Sequence, residues 1–173
     1  PEQYRVARQS GTEAPNGAAY KQFKAQGSTV FALCRKTSTE LNNLGVNVIE
    51  QIDVATASGI KNMQVALENV AIDILICNAG ILRDESLETL NLDTIREQFE
   101  VNAIAPLNIV ASLQKQLKHK AKVALITSRM GSIKDNTSGG RYGYRMSKAA
   151  LNAAGMSLKH DLSDKNIAVG IYH

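Results

Sequence analysis

Along the chain, short apolar runs alternate with longer stretches of helical periodicity. Five runs have strand length: STVFALC (28–34), VNVIEQID (46–53), IDILICNAG (72–80), KVALITS (122–128) and IAVGIY (167–172). Helical patterns fill residues 17–26, 56–70, 91–118 and 142–162 between them. This alternation predicts a single α/β domain over residues 1–173, built on a doubly wound parallel sheet. Pro106 should kink the long third helix or divide it in two.

The pattern weakens at the start. A doubly wound fold usually opens with an apolar strand running into a glycine-rich turn at a helix N-terminus, where a pyrophosphate can sit. Here the candidate strand is QYRVARQ, with Arg5 and Arg8 where a doubly covered strand would want valine or isoleucine. The following SGTEAPNGAAY keeps Gly11 and Gly17 but places Ala14, Pro15 and Asn16 between them. Pro15 has no N–H to offer a phosphate, and Glu13 would repel one. At the other end the chain stops directly after its last strand, so the fold is expected to be incomplete at both ends.

Composition narrows the class. With 44% apolar and 21% charged residues the chain is an ordinary globular domain rather than a disordered or fibrous one. No apolar run reaches about 18 residues, which argues against a membrane span. PEQYRVARQSG has no apolar signal core, so the cytoplasm is the expected compartment. Cys34 and Cys77 close apolar runs and read as buried free thiols. The formal charge of +4 is densest in KQLKHKAK (115–122). That run reads as a helix C-terminus favoured by the dipole and lacks interleaved aromatics, so no nucleic-acid partner is expected. His119, His160 and His173 have no metal-ligand spacing and read as surface residues, and no metal is expected. Small residues at Ala149, Ala150, Ala153, Ala154 and Ser157, near Met146, form a stripe that suits packing on the sheet or, alternatively, a dimer face.

The candidate chemistry lies in GGRYGYRMSKAAL (139–151), where a tyrosine precedes a lysine by one helical turn. A tyrosine hydroxyl titrates near pH 10 unless a cation stabilises its phenolate, and Lys148 at i+4 from Tyr144 is placed to do so. Tyr20 and Lys24 share that spacing, so spacing alone does not choose between the pairs. Tyr20–Lys24 follows the degraded turn with no serine-bearing strand before it, and reads as solvated helix surface.

Four motifs in order, CNAG (77–80), VNAIAP (101–106), ITSRMGS (126–132) and YGYRMSKAALN (142–152), resemble the short-chain dehydrogenase/reductase family. The likeness covers nearly all of residues 17–173 and looks closest to the branch of C-factor-like proteins and small carbonyl reductases. It implies a Rossmann-like fold and a tetrad of Asn102, Ser128, Tyr144 and Lys148. In that reading Tyr144 exchanges a proton with the substrate oxygen and Ser128 hydrogen-bonds it. Asn102 holds a water that links Lys148 to solvent. On the cofactor side the resemblance assigns Asp53, at a strand end, to the adenine, although a helix-capping role is equally legible. It assigns Asn78, Ala79 and Gly80 to the turn beside the cofactor ribose, and Gly11 and Gly17 to the phosphate turn. Family order would place the strands bearing Cys34 and Cys77 on either side of the first strand. Arg35 and Lys36 follow the second strand, where cations suit a 2′-phosphate, so NADP(H) is favoured over NAD(H).

Two function classes follow. One is an NADP(H)-dependent oxidoreductase acting on a small carbonyl or alcohol, for which the family resemblance implies a homodimer or tetramer. The other is an interaction or signalling protein that keeps the fold without the catalysis.

Overall fold

In a computed structural model, which describes the backbone of residues 5–9 and the whole of residues 18–173, the alternating pattern closes into a six-stranded sheet. Strands β1 (Arg5–Gln9), β2 (Thr29–Leu33), β3 (Asn47–Ile49), β4 (Ile72–Cys77), β5 (Leu117–Ile126) and β6 (Ala168–Tyr172) run parallel in the order β3-β2-β1-β4-β5-β6. The connections carry helices α1 (Ala18–Ala25), α2 (Thr39–Asn43), α3 (Ala57–Ala66), α4 (Leu92–Phe99), α5 (Ala105–Ser112) and α6 (Tyr142–Asp161). Gly11 and Gly17 lie outside the described residues.

Despite its composition, the first strand takes the centre of the sheet. Val6 pairs with Val30 of β2 and with Ile74 of β4, so β2 and β4 flank β1 as family order required. Cys34 and Cys77 are both free and buried. Burial pushes the Cys77 thiol up to about 12, which makes it an inert core residue.

Strand periodicity assigns the helices to their layers. Val30, Ala32 and Cys34 pack with Tyr20 of α1 and Leu41 of α2 in one cluster. Leu33, the alternate residue, joins a larger cluster with Met63 of α3, Ile109 of α5 and Leu151 of α6, together with Leu75 and Leu125. Side chains start several helices: Ser38 accepts from Leu41 N at 3.2 Å, Thr56 from Gly59 N at 3.0 Å, and Asn91 from Asp93 N at 3.0 Å. Among the described residues no helix is long and apolar enough to cross a membrane. His119, His160 and His173 are exposed, and no cluster of metal-ligating side chains occurs among the described residues.

The helix read over 91–118 is divided, one of the two outcomes expected at Pro106: α4 passes into a widened π turn, Glu100–Ile104, and Pro106 falls in the first turn of α5. Four expectations are corrected. The basic run is not a helix C-terminus. Ile72 N bonds to Gln116 O at 2.7 Å, so pairing with β4 draws the chain into β5. Leu117, Ala121 and Val123 then turn inward and the lysines outward, and Lys118 pairs with Asp73 on β4.

Tyr20 is not surface: it is 1% exposed, filling the core under α1. Lys24 stays outside and donates to the carbonyls of Leu44 and Gly45, each at 2.8 Å. Asp53 does not end a strand, because β3 stops at Ile49 and Gln51 takes a left-handed conformation at φ 62°. The small-residue stripe does not pack on the sheet. Gly143, Ser147, Lys148, Leu151, Gly155 and Leu158 form the buried face of α6, which leaves Ala153 and Ser157 exposed and the remaining alanines half-exposed.

Leu75 and Val65 test this layering. Leu75→Ala, fully buried on a central strand, should lose about 2–5 kcal/mol in chemical denaturation. Val65→Ala, 67% exposed on α3, should stay within about 0.5 kcal/mol of the parent.

Candidate active site

The sheet order reverses direction between β1 and β4, and in such sheets the crevice at the C-terminal strand ends is where ligands bind. Asn78, Ala79 and Gly80 leave β4 at that edge. Gly80 is exposed, and a Cβ there would lie 3.3 Å from Lys148 Nζ and 3.4 Å from Asn102 Oδ1. Glycine thus lets this turn, Asn102 and Lys148 share one small volume.

Asn102 is fully buried in the π turn. Its Oδ1 accepts from Ile81 N at 2.8 Å, and its Nδ2 donates to Ile81 O at 2.8 Å and to Ser147 Oγ at 3.0 Å. Both amide hydrogens are therefore committed within the protein, to Ile81 O and Ser147 Oγ. Ser147 Oγ in turn donates to Tyr144 O at 3.0 Å. One carboxamide joins the exit of β4, the π turn and α6.

Lys148 is 3% exposed, and its Nζ donates to Ile126 O at 2.9 Å at the end of β5. Burial lowers its pKa to about 8, so the ammonium predominates at neutral pH. It lies 5.7 Å from the centroid of the Tyr144 ring. Tyr144 itself is half-exposed in the first turn of α6.

Ser128 follows β5 and caps a 3-10 turn, Arg129–Gly131, accepting from Met130 N at 3.2 Å. Its hydroxyl hydrogen is not used in that bond and remains able to donate. The turn is docked on α6 through its neighbours. Thr127 Oγ1 donates to Asn152 Oδ1 at 2.7 Å, and Asn152 Nδ2 donates to Gly131 O at 3.4 Å. A Cβ on Gly131 would lie 2.9 Å from the Lys148 backbone, so glycine sets how closely Ser128 approaches the helix.

Arg35 and Lys36 are exposed directly after β2. The loop bearing Asp53 is tied to the same strand end by Ile52 N to Cys34 O at 3.0 Å. The Asp53 carboxylate accepts from Ala55 N at 3.0 Å, a local turn ahead of α3. The structure thus brings Asn102, Lys148, Tyr144 and Gly80 into direct proximity. It places Arg35 and Asp53 together at the β2 end. A separate cleft of about 670 Å³, lined by Gln64, Val65, Lys115 and Lys165, lies by the start of β5 and includes none of these residues.

Sequence reasoning missed a buried polar cluster beside the site. Thr94, Gln98 and Asn102, spaced i, i+4, i+8, face the segment 81–85. Gln98 Oε1 accepts from Arg83 N at 2.9 Å, and Thr94 Oγ1 donates to Glu85 Oε1 at 2.9 Å. The four-residue spacing of polar side chains on one helix was its only trace in the sequence.

Known proteins agree with this architecture. The short chain dehydrogenase family model matches residues 17–173. A 1-hydroxy-2-glutathionyl-2-methyl-3-butene dehydrogenase of Rhodococcus sp. (strain AD45) is 35% identical over 155 residues, which cover 88% of this chain and 69% of that protein. The C-signal of Myxococcus xanthus is 39% identical over 105 residues, 59% of this chain and 63% of that one. Among solved structures, an NADPH-bound carbonyl reductase from chicken fatty liver superposes with a TM-score of 0.78 at 25% identity, covering 96% of this chain and 77% of its own. The chain belongs to the short-chain dehydrogenase family.

Because Lys148 has a lower pKa folded than unfolded, the folded state binds fewer protons between about pH 8 and 10.5. Stability should therefore rise with pH across that window, by about 3 kcal/mol if the whole shift is expressed. In Lys148→Met this rise should disappear from the pH dependence of urea unfolding.

Proposed function

We propose that the protein transfers hydride between NADP(H) and a small carbonyl or alcohol substrate. The observation that carries the reading is the buried Lys148 ammonium, held by Ile126 O and set 5.7 Å from the Tyr144 ring. A cation in that position lowers the cost of a phenolate, which lets Tyr144 give or take a proton near neutral pH. Ser128 retains a hydroxyl hydrogen that can donate to the same substrate oxygen as charge builds on it. Asn102 fixes the wall behind Lys148 through Ile81 and Ser147.

The residues present fit a dinucleotide. Gly80 leaves open the space beside Lys148 that a Cβ would narrow, and Asn78 and Ala79 flank it. Arg35 and Lys36 offer exposed cations at the β2 end, which favours a 2′-phosphate and agrees with the NADPH carried by the chicken reductase. Asp53, at the same strand end, suits the adenine. Gly11 and Gly17, which follow β1 in the sequence and lie outside the described residues, are assigned by the family resemblance to the pyrophosphate. When bound, the nicotinamide supplies the hydride. The half-exposed stripe on α6, with Met146 and Met156 about half exposed beside it, supports a homodimer or tetramer through this face. Two free, buried thiols suit the cytoplasm.

The test is titration of the chain with NADPH and, separately, NADH, followed by turnover. NADPH should bind in preference, and Arg35→Ala with Lys36→Ala should cut that preference about tenfold, the size of one lost charge-assisted hydrogen bond. Tyr144→Phe should keep NADPH affinity and lose about a hundredfold or more in kcat. A folded chain that binds neither cofactor overturns this reading in favour of an interaction module, the alternative that the Pro15-bearing sequence between Gly11 and Gly17 favours.

A further inference from the structure

A helix of twenty residues needs acceptors for its first N–H groups, and α6 does not carry its own. Its N-cap residue, Arg141, is left-handed at φ 52° and makes no side-chain cap. The cap comes from Glu85, far away in sequence. Glu85 Oε2 accepts from Gly143 N at 3.3 Å, and the Glu85 backbone carbonyl accepts from Arg141 N at 2.7 Å.

Glu85 is only 3% exposed, and its other oxygen is held as firmly. Oε1 accepts from Thr94 Oγ1 at 2.9 Å and from Gln98 Nε2 at 2.5 Å, while Gln98 Nε2 also donates to Thr94 O at 3.1 Å. Position 143 is glycine for a steric reason: a Cβ there would overlap Gln98 Nε2. A buried carboxylate is tolerated here because the helix N-terminus presents its partial positive charge to it.

We propose that Glu85 is a positioning residue for Tyr144. Resting on the catalytic reading above, it fixes the first turn of α6 against α4, one residue before the tyrosine, and so sets where the phenol stands relative to Lys148. Gln98 and Thr94 hold Glu85 in place and act through it. An ordinary capping residue would stabilise the helix equally well from a local position. This one instead ties the tyrosine to the segment that leaves the Asn78–Gly80 turn, so the tyrosine is located by the same strand exit as the cofactor-side turn.

Two readouts test it. The chain has five tyrosines, so in a tyrosine-selective NMR spectrum Tyr144→Phe identifies the Tyr144 ring signal. In Glu85→Ala that signal should move or split while the signal of Tyr20, in the separate core under α1, stays. In turnover of para-nitrobenzaldehyde with NADPH, Glu85→Ala should lose about tenfold or more in kcat. KM for both reactants should stay within about twofold, which separates positioning from loss of binding. Thr94→Val, at a half-exposed site, should shift the Tyr144 signal the same way by less, and it decides the matter if Glu85→Ala does not fold.

An unmoved Tyr144 signal with unchanged kcat overturns the proposal. If Tyr144→Phe keeps full turnover, the catalytic reading fails instead. The NMR result needs neither cofactor nor turnover and still decides whether Glu85 positions the ring.

Discussion

The carboxamide of Asn102 is the joint on which the site depends. An asparagine side chain has one acceptor oxygen and two donor hydrogens, and here it meets the N–H and C=O of Ile81 much as a neighbouring strand would. Its remaining hydrogen reaches Ser147 on α6. Three pieces of chain that approach from different directions are thereby fixed at hydrogen-bond precision around a fully buried side chain. The π turn between α4 and α5 is what makes this reach possible, since it holds Asn102 fully buried where the two helices join.

Around that joint the protein accepts polar groups where its core would otherwise be apolar. Lys148, Glu85, Gln98 and Ser147 are all buried on the side of the sheet where α4 to α6 pack. The cluster under α1 and α2 is instead built from Tyr20, Val30, Ala32, Cys34 and Leu41. Lys148 shows the consequence: the burial that depresses its pKa works against folding at neutral pH, and the apolar core of the same layer, Leu125 and Leu151 included, offsets it. Stability is concentrated in one set of residues and chemistry in another, within one layer.

What could be read from the sequence was local. The Tyr144–Lys148 spacing, the strand ending before Ser128 and the CNAG turn each lie within a few residues, and strand–helix alternation sufficed for the parallel sheet. Position in the fold was less accessible. Tyr20 and Tyr144 have the same spacing to a lysine, and only tertiary packing makes one a core residue and the other half-exposed. The run at 115–122 has helical composition, yet a bond between Ile72 and Gln116 converts it to strand. The Glu85 cap joins residues far apart along the chain, and the π turn leaves no periodic mark in an eight-residue helix. The turn at 10–17, the weakest part of the sequence pattern, falls outside the described residues.

The central place of β1 also governs how the chain must fold. Val6 finds one partner in Val30 but waits for the other until Ile74 has been made. During synthesis the middle strand of the sheet is therefore an edge for a long interval, with backbone groups open to any passing strand. Parallel pairing over such separations raises contact order and slows the search.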